Sequence, residues 1–204
     1  KSWMDENRSR YQEARGYFIT IIEDLIKGIE GFDSNLVGVE AKKSIFRINR
    51  DIRFSNNKEP YKTNFGADIS PFGKKSPFAG YYIHLEPGKS MVGGGSYKAE
   101  PKVLSAIRQE IDYNGADLVS VLNKESFKSS FGELWGDSLV RPPKGYERDN
   151  PYLDLLKMKS FIAVRNLSDK EVLKSGFIGE ALSLYKEMSP FIEFLNTPIR
   201  DLGK

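Results

Sequence analysis

The spacing of apolar side chains changes from a helical to a strand period and back, which restricts the fold class more than any other feature of the sequence. In the first thirty residues Ala14, Phe18, Ile21, Ile22, Leu25, Ile26 and Ile29 recur at intervals of three and four, the stripe of an amphipathic helix that ends at Gly28 and Gly31. Trp3 extends this stripe and, like Phe18, is expected in the core. Over 36–97 the period falls to two. Phe46, Ile48, Ile52 and Phe54 hold one parity and Arg47, Asn49, Asp51 and Arg53 the other, predicting a half-buried strand with a charged face. Arg50 sits on the apolar parity, so a bulge, a break or a buried ion pair is expected there. Residues 65–69 fit a short strand. Ala79, Tyr81, Ile83 and Leu85 then alternate with Gly80, Tyr82, His84 and Glu86, and Met91 and Val92 lead into Gly93, Gly94 and Gly95.

The helical period returns at Pro101, with Val103, Leu104, Ile107 and Ile111 before Gly115, and a short helix is expected at 118–122. Turn residues dominate 127–151 and predict a long surface connection. Beyond it the pattern gives a short helix at 153–157, a strand at 160–165, a helix capped by Ser168 and a last helix at 177–195 interrupted by Pro190. Strands grouped in one block with helices on both sides predict a single α+β domain over 1–204, with a mainly antiparallel sheet from the central block.

Composition narrows the chemistry. The 204 residues include no Cys and one His, His84, which excludes disulfides, thiolate nucleophiles, Cys-ligated clusters and most zinc or haem sites. Carboxylates are scattered, so no metal site is expected, and nothing in the sequence names a cofactor. No apolar run reaches the roughly 20 residues of a membrane helix, and a soluble, cytoplasmic protein without membrane partners is the expectation. The chain starts at Lys1 rather than Met, which leaves open a removed leader or a missing leading segment.

Charge is unevenly placed. The net charge is only +3, but 42–75 holds nine basic and three acidic residues, a surplus of six that leaves the remainder at −3. Common nucleotide and hydrolase motifs fail. Gly88, Lys89 and Ser90 lack the first glycine of a P-loop, Gly93 to Gly95 lack dinucleotide spacing, and the SxxK pair Ser55 and Lys58 is matched by Ser183 and Lys186 without companion signatures.

The densest stretch contains Arg47, Arg50, Asp51, Arg53, Phe54, Ser55, Lys58, Pro60, Tyr61, Lys62 and Thr63. It resembles the RxxRDxRFS and PYKT hallmark of the bacterial and fungal domain of unknown function family 2461. The resemblance continues through Gly80, Tyr81 and Tyr82, through Gly93 to Gly95, and through Pro143, Lys144, Gly145 and Tyr146 before Asp149, Asn150 and Pro151, covering about 3–195. Tyr146 stands where the family usually has Phe. Asn150 stands where it often has His, so a mechanism using that His as an acid or base would not carry over. The resemblance implies one domain; it brings no established activity, substrate or cofactor.

Arg offers a rigid fork of donors that is always charged, and converging Arg and Lys side chains suit phosphate, sulfate or carboxylate. The expected function is therefore binding of, or action on, a small phosphorylated or carboxylated ligand. Its ligand residues would be Arg47, Arg50, Arg53, Lys58, Tyr61, Lys62, Thr63 and Gly94, with Asp51, Tyr61 and His84 as catalytic candidates and Lys144 and Asp149 as further contributors. Two alternatives stand beside it. Basic residues interleaved with Phe54, Tyr61, Phe65 and Phe72 could bind nucleic acid. Or Asp51 could pair internally with the three Arg residues in a structural or interaction domain. Whether the chain is an enzyme and how it oligomerises are left open by the sequence.

Overall fold

A computed structural model describes residues 2–54, 56–74 and 76–202; Ser55 and Lys75 of the basic segment lie outside the described residues. The chain begins with α1 (Ser2–Glu6) and α2 (Arg8–Glu30), separated only at Asn7. After a 3-10 turn (Ser34–Leu36) and the short α3 (Ala41–Ser44) come strands β1 (Phe65–Ile69), β2 (Gly80–Leu85) and β3 (Ser90–Ser96). Helices α4 (Pro101–Asn123), α5 (Glu125–Phe131) and α6 (Leu153–Lys157) precede β4 (Phe161–Leu167). The chain closes with α7 (Asp169–Val172) and α8 (Phe177–Arg200). The sheet order is β1-β2-β3-β4 with every neighbouring pair antiparallel, the α+β architecture expected from the strand block.

Registers separate the two faces of the sheet. Ala67, Ile69, Tyr81, Ile83, Val92 and Ala163 point to one side and are buried beneath α2 and α8, with α4 packed on α8 behind them. One continuous core collects apolar residues from Phe18 to Ile199. Its polar groups are matched. Tyr81 donates to Asp33 Oδ2 at 3.0 Å, Tyr185 to the Tyr82 carbonyl at 2.9 Å, and buried Asn196 pairs with both backbone groups of Ala79. The opposite face carries Gly66, Asp68, Tyr82, His84, Met91 and Gly93, all partly or fully shielded.

The structure corrects several sequence expectations. Residues 46–54 form no strand: bridges join only Ile45 to Ala67 and Asn49 to Tyr61, and the stretch 48–50 returns along 60–62 as an irregular ribbon. Phe54, expected on a buried face, is 95% exposed. Trp3 is also largely exposed, resting against the Tyr61 ring, because the apolar stripe reaches the core only from Phe18 onward. Helix α4 runs past Gly115 with a kink at Asn114, joining two expected helices. Its glycine gives room for the Tyr152 ring. Helix α5 lies in the supposed connection because Phe127 and Phe131, one turn apart, both reach the core. Pro190 and Pro198 leave α8 unbroken; Met188, Phe191, Ile192, Leu195 and Ile199 keep one buried stripe across them.

Candidate functional site

A concentration of basic side chains lies where α2 passes the edge of β1. A cleft of about 550 Å³ is bounded by Arg8, Tyr11, Gln12 and Arg15 of α2, Lys42 of α3, residues 45–49, Tyr61 and Lys74. Local structure explains the convergence. Arg8, Gln12 and Arg15 follow a spacing of four and three and so share one helix face. The Phe46 N–H donates to the Gly66 carbonyl, which ties the next residues to the sheet edge and holds Arg47 at the cleft. Lys74 reaches across from the loop after β1 and donates to the Ile45 carbonyl at 2.7 Å.

Every charged residue in this wall is basic. Arg8 is paired with Asp5 at 2.7 Å, but Arg15, Lys42, Arg47 and Lys74 form no salt bridge among the described residues; Asp51 and Asp68 act on Arg47 and Lys74 only at longer range. Lys62 stands just beside them. Its ammonium lies 5.3 Å and that of Lys74 5.8 Å from the centre of the Phe46 ring. Burial, then the like charges of Arg47 and Lys74, pull the Lys62 pKa below its ordinary value.

The sequence candidates divide. Arg47 and Tyr61 line the cleft, and Lys62 adjoins it. Arg53 instead forks onto Asp51 at 2.7 and 2.9 Å, both side chains exposed, and this contact lowers the Asp51 pKa. Lys58 donates to the Ile52 carbonyl, and Arg50 is held through its backbone to Pro60. Gly94 lies on the helix-covered face, where a Cβ would come within 2.5 Å of Met188 Sδ on α8. It is a packing glycine, not part of the basic cleft. Lys144 and Asp149 belong to a loop anchored elsewhere: Asn150 donates to Asp112 of α4 at 2.6 Å. Arg8, Gln12, Arg15, Lys42 and Lys74 were not selected from the sequence. The signals were there, in the helical spacing of the first three and the membership of the last two in the basic segment.

A second polar group occupies the sheet face next to Phe46, whose ring stands 6.3 Å from that of Tyr82. Thr63 donates to Glu86 Oε1 at 2.6 Å, while Glu86 Oε2 meets His84 Nε2 at 3.1 Å. The other ring nitrogen, Nδ1, faces the Tyr82 hydroxyl at 3.2 Å and the Asn64 amide at 3.3 Å. Bonds from Thr63 and His84 hold the Glu86 carboxyl below its ordinary pKa, as suits a carboxylate that accepts from both neighbours. Asp68, opposite Tyr82 in the register, is pushed up to about 6 by burial, against the opposing pull of Ser70 and Lys74. Burial and Asp68 together raise the Tyr82 pKa.

Among the described residues no group of three or more His, Cys, Asp or Glu side chains could hold a metal ion, and no helix is long and apolar enough to cross a membrane. No curated protein and no solved structure is detectably similar to the chain. A family described as a conserved hypothetical protein, DUF2461, matches residues 1–194, nearly the full length. The chain belongs to that family.

Proposed function

We propose that this protein binds a small anionic ligand, phosphorylated or carboxylated, in the basic cleft between α2 and the edge of β1. Arg15, Lys42, Arg47 and Lys74 form the anion-binding wall, Lys62 adds charge from one side, and Tyr61, Gln12 and Asn49 supply neutral hydrogen-bonding groups. The carrying observation is that the cleft has five cationic side chains and no carboxylate in its lining. Like charges held this close raise the free energy of the empty site, and an oxyanion relieves that repulsion while accepting charge-assisted hydrogen bonds. The volume of about 550 Å³ suits a metabolite-sized molecule. We take the ligand to be one met in the cytoplasm.

Nucleic-acid binding is the second reading, favoured by the exposed Phe54 of the basic ribbon, over which Arg53 lies, and by the exposed Phe72 of the loop after β1. The concave site weighs against it. An internal Arg network is weakened because, of Arg47, Arg50 and Arg53, only Arg53 forms a salt bridge among the described residues, and that pair is exposed.

The test is thermal unfolding in increasing inorganic phosphate at constant ionic strength, beside a titration with a single-stranded oligonucleotide. Saturable stabilisation by phosphate, weakened at least about tenfold in Arg47→Ala, is expected from loss of a charge-assisted contact. A shift identical in wild type and variant would refute the cleft. Tight, salt-sensitive oligonucleotide binding without a phosphate response would favour the second reading.

A further inference from the structure

We infer that the ligand of the basic cleft is a phosphate ester carried on a planar aromatic or heteroaromatic ring, with the phosphate at the end of the cleft next to the sheet and the ring at the end lined by Met4, Ile48 and Tyr61. This inference rests on the anion-binding reading and adds the ligand class.

Two backbone bridges fix the ends of the cleft. Ile45 pairs with Ala67 of β1 and Asn49 with Tyr61, so the stretch 45–49 leads outward from the sheet edge. The helical wall follows the same line: Trp3 of α1 packs on the Tyr61 ring at 6.1 Å, and Tyr11 of α2 stacks on Phe65, the first residue of β1, at 6.2 Å. The inner end therefore collects Lys42, just before Ile45, Lys74, which donates to the Ile45 carbonyl, and Arg15, one turn beyond Tyr11. Arg47 stands between the two bridges. The outer end is lined by Met4, Ile48 and Tyr61, and Arg8, the cation one turn beyond Met4, is already paired with Asp5. Two turns of α2, about 10 Å of helix rise, separate Arg8 from Arg15, so the two ends lie a small molecule's length apart rather than on one functional group.

Each end selects one half of the ligand. Arg15, Lys42, Arg47 and Lys74 bring more positive charge than a single carboxylate can answer, whereas a phosphate monoester carries nearly two negative charges at neutral pH and offers three strong acceptor oxygens. At the other end Met4, Ile48 and Tyr61 are only half-buried, so the fold leaves part of their apolar surface to the cleft. The Tyr61 ring is steadied by Trp3 while it lines the cleft, the arrangement of a stacking platform, and a flat ring covers such a platform better than a hydroxylated chain does. Asn49 and Gln12 in the same lining offer amide donors and acceptors to ring heteroatoms.

Calorimetric titration of the full chain with inorganic phosphate, glycerol phosphate, phenyl phosphate and adenosine monophosphate, at constant ionic strength, tests this. Phenyl phosphate, adenosine monophosphate or both should bind at least about fivefold more tightly than inorganic phosphate, the lower end of what stacking on one aromatic side chain is worth. A gain with both assigns it to the ring itself, and a gain with adenosine monophosphate alone adds the ring heteroatoms. Tyr61→Ala should remove the margin and keep the affinity for inorganic phosphate, Tyr61→Phe should keep both, and Arg47→Ala should weaken every probe. Trp3 and Trp135 are the two tryptophans, so in Trp135→Phe protein the emission reports on Trp3 and should change with the ring-bearing probes but not with inorganic phosphate. Equal affinity for all four probes, or a gain with glycerol phosphate as large as with the ring compounds, overturns the ring reading and leaves the anion cleft standing. A margin that survives Tyr61→Ala overturns it as well. Binding of none of the four overturns both readings.

Discussion

The Arg-rich run and the glycine run are the two most unusual stretches of this chain, and they meet opposite fates. Arg47 lies in an open cleft wall with cationic neighbours and forms no salt bridge among the described residues. Gly94 and Gly95 lie in the centre of the sheet, where neighbouring groups leave no space for a side chain. Both stretches look like ligand loops when only residue type is considered. The difference is what each residue lacks: Arg47 lacks a salt-bridge partner, a demand that a ligand can meet, whereas the glycine run lacks volume, a demand already met by α8 and β4.

This contrast is broken most sharply at Gly95. Its φ of +129° is one that side-chain-bearing residues rarely adopt, and a Cβ would overlap the Phe161 carbonyl oxygen of β4. Gly95→Ala is expected to destabilise the fold by on the order of 4 kcal/mol in urea unfolding. The phosphate affinity of the molecules that fold should not change. A stable Gly95→Ala protein with weakened anion binding would move the glycine run into the site.

Asp68 lies between the two regions and should give the next largest effect. Its carboxyl is displaced from the ordinary 3.8 to about 6 by burial. The folded state therefore holds this proton more tightly than the unfolded state. Stability from this group is complete below pH 4 and is lost as the pH rises through 6, at a cost of at most about 3 kcal/mol. Burial sets the rise, and Ser70 and Lys74 both oppose it. Asp68→Asn should remove the fall in stability between pH 4 and 6 and leave the variant more stable at pH 7. An unchanged pH profile would place the carboxyl in water.

Arg47→Ala should have the smallest effect on stability, within about 0.5 kcal/mol, because the side chain is exposed and has no ion-pair partner among the described residues to lose. Matched denaturation of Arg47→Ala and Arg200→Ala sharpens the point. Arg200 forks onto Glu193 at 2.6 Å on an exposed helix face, so its loss should cost about 0.5 kcal/mol and leave phosphate binding intact.

Most of the fold was legible because burial enforces periodicity. Tyr81 and Ile83 must alternate with Tyr82 and His84 when one sheet face is covered by α8, and the long helices announce themselves through stripes that reach the core. The reading failed at 46–54, where Phe46, Ile48, Ile52 and Phe54 alternate without a ladder to enforce the pattern. Helix α5 was missed because two aromatic residues give too short a signal beside many turn residues. The candidate site was half legible. The basic segment marked Arg47, Tyr61 and Lys62, but the wall contributed by α2 depends on how the first helix crosses the sheet edge, a tertiary relation that local spacing does not contain. Similarly, His84 and Tyr82 could be placed on one face, while their connection to Glu86 and Thr63 required the actual register and turn.

The central claim, that the unpaired cations beside α2 form an anion site, is tested most directly by an anomalous-difference map from crystals soaked in selenate. The predicted result is a selenium peak within hydrogen-bonding reach of Arg47 and Lys74, lost in Arg47→Ala crystals. A cleft without a peak at a selenate concentration that saturates the thermal shift in solution would contradict it.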